Sequence, residues 1–250
     1  IISKSTKLAS FIAHKTNMGF DVTLVTESQW GGGIGNAAAE NIRTWLKANY
    51  ATKARYAILI GNPHPDNGDV PMKMLWPRYN ADDYREAPSD YYYADLTGNW
   101  DLDGDGIYGE QPDDFGTGGI DRVPEVIIGR IPHYGNTADL DKILHKIINY
   151  ETSTTVGTWA QRMLIPLEPL DANTPLWQLG ELIRTDVAIP SALNYYRIYE
   201  ENYGVVPAPE KTPCNETNVR NEWKNGYAFV FWGTHGWPQG GADIFTTGSC

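Results

Sequence analysis

The sequence predicts an α/β protein with a mainly parallel sheet flanked by helices, organised as two subdomains. Three observations predict it. Helix-type and strand-type hydrophobic patterns alternate along most of the chain. The runs RYAILIG (55–61) and PEVIIGRIP (124–132) are almost continuously apolar, as strands covered on both faces are. The alternation then restarts near Gly157, which divides the chain into residues 1–155 and 156–250.

Each element has its own reason. Residues 5–17 carry apolar positions at helical spacing and stop at Gly19, and FDVTLVT (20–26) follows as a buried strand. Residues 36–49 form a second helix with Asn36 as its cap. The strand at 55–61 is the most hydrophobic and is expected at the centre of the sheet. A long irregular stretch, 62–122, is rich in Pro, Asp, Tyr and Gly. After the strand at 124–132, residues 137–152 place Leu140, Ile143, Leu144, Ile147 and Ile148 on one helix face. The second half reads as strand 162–167, helix 174–186, strand 194–199, helix 216–225 and strands 227–232 and 245–249.

Composition narrows the function. The chain has 250 residues, 41% hydrophobic and 20% charged, which argues against disorder. Twenty basic against 31 acidic residues give a net charge of −11, so a phosphate backbone finds no counter-charge and nucleic acid is not an expected partner. No run of 18 apolar residues is present, so no membrane-spanning helix is expected. No signal peptide is visible at Ile1, which suits a cytosolic chain or a processed one. Cys214 and Cys250 are too few for a disulfide framework. Nine Trp and fifteen Tyr suit a protein that handles extended polymers, without deciding the matter.

In open α/β sheets, ligands bind beyond the carboxyl ends of the strands. The residues that follow each strand there are Gly233-Thr234-His235-Gly236, Cys250, and Glu168 with Asp171 nearby. His235 stands between small residues, where an imidazole is accessible; otherwise it is an ordinary loop histidine. Cys250 follows Gly248 and Ser249; otherwise it is a buried apolar thiol. Together they make a nucleophile and an acid–base group, because an adjacent imidazole favours the thiolate and protonates a leaving amine. His14 and His145 read as helix surface residues, His64 and His133 as turn residues near strand ends, and Cys214 as a structural thiol ahead of a helix.

FVFWGTHGW and FTTGSC resemble the His-Gly and small-small-Cys motifs of the gingipain-type cysteine peptidases, in the caspase and legumain clan. LASFIAHKTNMGFDVTLVT, RYAILIGNP, YYYADLTGNWDLDGDGIYGE and VPEVIIGRIP resemble the same family's catalytic domain, so the likeness covers most of the chain. It implies a caspase-like fold, with His235 and Cys250 as a dyad and a peptide or protein substrate. It also implies a secreted or cell-surface bacterial protein. On this reading Cys250 attacks the scissile carbonyl and backbone amides near Gly236 and Cys250 hold the oxyanion. Glu168 and Asp171 are candidates to pair with a basic substrate residue before the cut. Glu168 is alternatively a third catalytic member orienting His235. The rivals are a non-catalytic binding or adhesion module using its aromatic loops, and a dehydrogenase.

Asp101, Asp103, Asp105 and Gly106 give the start of an EF-hand-type calcium loop. Carboxylates spaced by two on a tightly turning chain converge on one hard cation. The twelfth position is Pro112 and not Glu, so Glu110 or Asp113, with the Ile107 carbonyl, is expected to complete the shell. The alternative is an Asp-Gly turn without a metal. A bound calcium would be structural, with oxygens at about 2.3–2.6 Å. GGGIGNAAAENI (31–42) imitates a dinucleotide fingerprint, but Asn36 stands where the third glycine is needed, so it reads as a loop and helix cap.

One further expectation concerns the chain path. If strands 227–232 and 245–249 both deliver catalytic groups to one edge, they run parallel. A parallel crossover needs at least about 10–12 residues including a helix. GTHGWPQGG has no helical pattern, so residues are expected to be missing between Trp237 and Phe245, and near Ile2.

Overall fold

The computed structural model describes residues 4–76, 86–155, 157–201, 203–205, 207–237, 240–242 and 244–246. The chain divides into two compact units, up to Thr152 and from Ser153. Both mix helices with small parallel sheets, which fits an α/β fold.

In the first unit, β1 (Tyr56–Gly61) pairs in parallel with β4 (Ile127–Pro132), Tyr56 opposite Ile127 and Gly61 opposite Pro132. Tyr56 and Ile58 are exposed, so β1 does not have the doubly covered environment its composition predicts. Segment 20–26 is irregular and not a strand. Phe20 and Leu24 are exposed, and Phe20 meets the Tyr56 ring edge-on at 5.9 Å, so no face of the segment is buried.

Helices α1 (Leu8–Asn17) and α4 (Thr137–Thr152) share a core of Leu8, Phe11, Leu140 and Leu144 with Ile131 from β4. Asp141 on α4 receives the start of α1: the hydroxyls of Ser5 and Thr6 and the amides of Thr6 and Lys7 all donate to its carboxylate. Those hydroxyl bonds hold the carboxyl down from 3.8 to about 2. A depressed carboxyl adds stability above its unfolded pKa, and loses it as pH falls through its folded value. Asp141→Ala is therefore expected to lower the melting temperature most above pH 3.8 and least below about 2. A deficit that does not shrink in acid would contradict this.

A short α2 (Glu27–Trp30) precedes α3 (Gly35–Asn49), whose Ala38, Ala39, Ile42 and Leu46 are buried on one face. Asn36 lies inside the first turn and does not cap the helix; the cap position is Ile34, and the Asn36 amide oxygen accepts from Lys73 Nζ at 2.6 Å. Gly35 has φ +54°, and a Cβ there would stand 2.2 Å from the Asp66 carbonyl oxygen, so close backbone approach explains this glycine. The stretch 62–122 is less irregular than its composition predicts. It contains the ribbon β2 (Lys73–Leu75) with β3 (Ala87–Ser89) and a 3-10 turn at Tyr91–Tyr93, and it supplies Tyr92, Tyr93, Leu96, Trp100 and Ile120 to the core. Buried Arg43 on α3 pegs it, donating to the carbonyls of Tyr92, Asp95 and Gly98 at 2.6–2.8 Å.

The second unit holds a parallel sheet in the order β6 (Asn194–Tyr199), β5 (Arg162–Leu167), β7 (Phe229–Val230). Central β5 is buried from Met163 to Leu167, as its apolar run predicts. Helix α5 (Trp177–Ile183) continues as a π-turn through Ala188, and α6 (Glu216–Trp223) is capped by Asn215, whose side chain accepts from the Asn218 amide at 2.9 Å. Buried Arg197 on β6 ties this layer together through Glu181 of α5 at 2.6 Å and Glu210 at 2.8 Å. Burial alone would raise both carboxyls, and the Arg197 hydrogen bonds more than reverse it.

The end of the chain departs from expectation. β8 (Gly236–Trp237), β9 (Gly240–Gly241) and β10 (Phe245–Thr246) form a small antiparallel sheet. Trp237 faces Gly240 and Phe245 faces Gly241, and the Ile244 amide bonds to the Gly241 carbonyl at 3.2 Å. These antiparallel pairings, unlike the parallel pairing the sequence predicts, need no helical crossover. Phe245–Thr246 therefore does not run parallel to β7 in the main sheet. Residues 1–3 and 247–250 lie outside the described residues, and with them the expectation at Ile2 and the position of Cys250.

Candidate active site

The second unit brings several chemistry-bearing residues to the carboxyl end of β5 and β7. Beyond Val230 the chain stays beside β5: the Phe231 amide donates to Leu164, the Gly233 amide to Pro166, and the Glu168 amide to Gly233, at 2.9–3.2 Å. Gly233 permits the approach, since a Cβ there would lie 2.9 Å from Leu167 Cδ2 and 3.2 Å from Leu176 Cδ1. Glu168, the first residue past β5, and His235 thus project from neighbouring strand ends.

His235 is exposed, and its Nε2 lies 2.8 Å from the Leu170 carbonyl oxygen. Its own carbonyl accepts from the Ala242 amide at 2.8 Å, which fastens the histidine to the meander. Thr234, which the sequence reading passed over, donates its hydroxyl to Glu168 Oε2 and stands 2.9 Å from the Ala242 carbonyl oxygen. A hydroxyl next to a candidate histidine was the available signal. Asp171 is exposed and begins a turn: its Oδ1 accepts from the Asn173 amide at 2.7 Å, and its carbonyl from the Thr174 amide at 3.2 Å. Gly236 opens β8 opposite Gly241. Exposed Trp237 follows, while Trp232 stacks on Phe245 with centroids 4.2 Å apart.

Cys214 is 1% exposed, in a core with Leu164, Ile198, Val219 and Ile244, so its thiol is closed to a substrate. Cys250 lies outside the described residues. The other histidines play local parts. His14 contacts Glu151 at 2.7 Å, His145 contacts Asn149 at 3.1 Å, His64 Nδ1 accepts from the Asp66 amide at 3.2 Å, and His133 is buried after β4.

The acidic loop of the first unit is a separate cluster. Ligand-type oxygens of Asp103, Asp105 and Glu110 lie within 4.8 Å of one another, as do those of Asp101, Asp103 and Asp114. The loop is pre-shaped: Asp101 accepts from Gly106 at 3.1 Å, Asp103 from Asp105 at 3.3 Å and Asp105 from the Ile107 amide at 2.7 Å. Asp114 was missed by the sequence reading, because it lies past the twelfth position of an EF-hand count. It is fully buried and accepts from the Leu102, Gly109 and Glu110 amides. Desolvation and the charges of Asp105, Asp113 and Asp103 push the Glu110 carboxyl up to about 7. Among the described residues no lysine or arginine pairs with these carboxylates, and their oxygens are the donor type that a hard cation takes.

The glycines at 31–35 close α2 and admit Asp66 against Gly35, which is a backbone role and gives no support to a dinucleotide site. No helix among the described residues is long and apolar enough to cross a membrane. Searches of curated proteins and of solved structures each gave no match. A family model described as peptidase family C25 matches residues 2–250. That match spans the parallel sheet, the His235 loop and the acidic loop alike, and the chain belongs to peptidase family C25, the gingipain family of cysteine peptidases.

Proposed function

We propose that the chain is a calcium-stabilised cysteine endopeptidase with a caspase-like fold, in which Cys250 and His235 form the catalytic dyad and cleavage follows a basic residue. The observation that carries this reading is His235: exposed, beyond the carboxyl end of the parallel sheet, and fixed by a hydrogen bond at one ring nitrogen. Burial of Cys214 supports Cys250 as the attacking thiol. The Cys250 thiolate adds to the scissile carbonyl, backbone amides near Gly236 and Cys250 stabilise the oxyanion, and His235 protonates the departing amine. Family membership supports a peptide or protein substrate, and the family's habit supports a secreted or cell-surface bacterial protein.

Glu168 and Asp171 give this edge negative charge, suited to a charge-assisted bond with Arg or Lys of the substrate. Asp101, Asp103 and Asp105, with Glu110, the Ile107 carbonyl and Asp114, are the groups that would hold calcium; the ion would lock the loop and takes no part in bond cleavage. Cleavage of a peptide library is expected to show Arg or Lys before the cut, and Glu168→Gln to weaken that preference. A profile without basic preference that Glu168→Gln leaves unchanged would overturn the pocket assignment.

A further inference from the structure

We infer that Trp237 is a specificity residue. Its indole shares a face of the small antiparallel sheet with the His235 imidazole, and it receives an aromatic or bulky aliphatic side chain of the substrate on the leaving-amine side of the cut. The inference deepens the peptidase reading and rests on it for which side of the cut is meant.

The two faces of that sheet differ. Gly236 pairs with Gly241 and Trp237 with Gly240, and the Ala242 amide extends the ladder by donating to the His235 carbonyl at 2.8 Å. Alternate residues of a strand share a face, so His235 and Trp237 project to one side and Gly236 to the other. On the Gly236 side, Gly241 is buried: a Cβ there would stand 3.0 Å from Thr234 Cγ2 and 3.2 Å from Trp232 Cζ3. Trp232 in turn stacks on Phe245. The His235 side is open. Trp237 is 46% exposed, and its side chain has no hydrogen bond or ring contact among the described residues. Its cross-strand neighbour Gly240 has no side chain to cover it, and takes none without backbone movement, since a Cβ there would stand 2.5 Å from the Phe245 carbonyl oxygen.

One exposed tryptophan is ordinary on a protein surface; position sets Trp237 apart. Two residues of extended chain put its α-carbon about 6–7 Å from that of His235, which is also the span of two residues of an extended substrate. In the proposed reaction His235 protonates the departing amine, so the peptide which that amine carries leaves past the imidazole. Glu168 and Asp171, proposed for the basic residue before the cut, belong to the loop after β5. The sheet that carries Trp237 is then the element next to His235 that is left for the residues after the cut. A flat indole above a glycine offers a ring partner offset-stacked or edge-to-face contact. Trp237 binds and takes no part in bond exchange.

Matched peptides test this, with Arg before the cut and either Phe or Gly at the first or the second position after it. The native full chain is expected to favour Phe over Gly at one of these positions by about 2- to 10-fold in kcat/KM, the range for one aromatic pair. Trp237→Ala should bring that ratio close to one by raising KM for the Phe peptide, and Trp237→Phe should retain most of it. No Phe preference at either position, or a preference that survives Trp237→Ala, would overturn the inference. So would a loss in Trp237→Ala that is equal for Phe and Gly peptides, because that is what a purely structural role produces. Fluorescence anisotropy of the same peptides, dye-labelled, on the Cys250→Ala full chain measures Kd without turnover. Phe-over-Gly discrimination in Kd that Trp237→Ala removes would support the subsite, and if the native chain cleaved neither peptide it would contradict the peptidase reading alone. Cleavage without discrimination would contradict the inference alone.

Discussion

His235→Ala is expected to lower kcat for a cleaved peptide by about 10²–10⁴-fold, the range for losing a positioned acid–base group. Cys250→Ala should be more damaging, because the covalent route disappears and no other thiol replaces it: Cys214 is sealed in the core. In both variants the loss should fall on kcat more than on KM, since neither residue is proposed to bind the ground-state substrate. The double variant should be no worse than Cys250→Ala, as expected for residues acting as one unit. Cys214→Ser must be treated differently. It places a hydroxyl in an apolar core and is expected to reduce stability while leaving the chemistry of folded molecules intact. Turnover undiminished in Cys250→Ala would remove the dyad.

Calcium is expected to produce the second large effect. A ligand present at 100 times its dissociation constant stabilises the native state by about 2.7 kcal/mol. In a chain of this size each kcal/mol corresponds to roughly 2–4 °C, so saturation should raise the melting temperature of the first unit by about 5–10 °C. Chelation should reverse the gain. Asp103 belongs to both carboxylate groups, so Asp103→Ala should abolish the response, whereas magnesium, which demands smaller octahedral geometry, should substitute poorly. A melting curve indifferent to both calcium and chelator would contradict the site.

The sequence-derived account and the structure agree where one-dimensional periodicity has one physical meaning. The helices containing Phe11, Ile42 and Leu144 bury the faces their spacing marks, and β5 is buried along its apolar run. Agreement fails where the same pattern has two meanings. FDVTLVT reads as a buried strand, yet Phe20 and Leu24 are exposed and no ladder forms. IFTTGS reads as a parallel strand, but Phe245–Thr246 pairs antiparallel with Gly240–Gly241, where a Cβ on Gly240 would stand 2.5 Å from the Phe245 carbonyl oxygen. Residues 62–122 resemble a loop because nothing in a list of Pro, Asp and Tyr announces that Arg43, far away on α3, will satisfy three of their carbonyls.

The site shows the same division. The positions of His235, Glu168 and Asp171 follow from the strands they succeed, and all three lie beyond β5 and β7, while their roles belong to the proposal. The Leu170 carbonyl was not legible, since every residue has one. Asp114 was hidden for a related reason: its carboxylate joins the acidic loop through three backbone amides, a tertiary relation that no ligand spacing encodes.

The central claim is that Cys250 is a thiolate activated by His235, and site-resolved labelling with a thiol-reactive peptide probe tests it most directly. The account predicts rapid modification of Cys250 in the native chain, negligible modification of buried Cys214, and a large loss of Cys250 labelling in His235→Ala at unchanged stability. Labelling of Cys250 that is slow, no faster than that of Cys214, or indifferent to His235→Ala would contradict it.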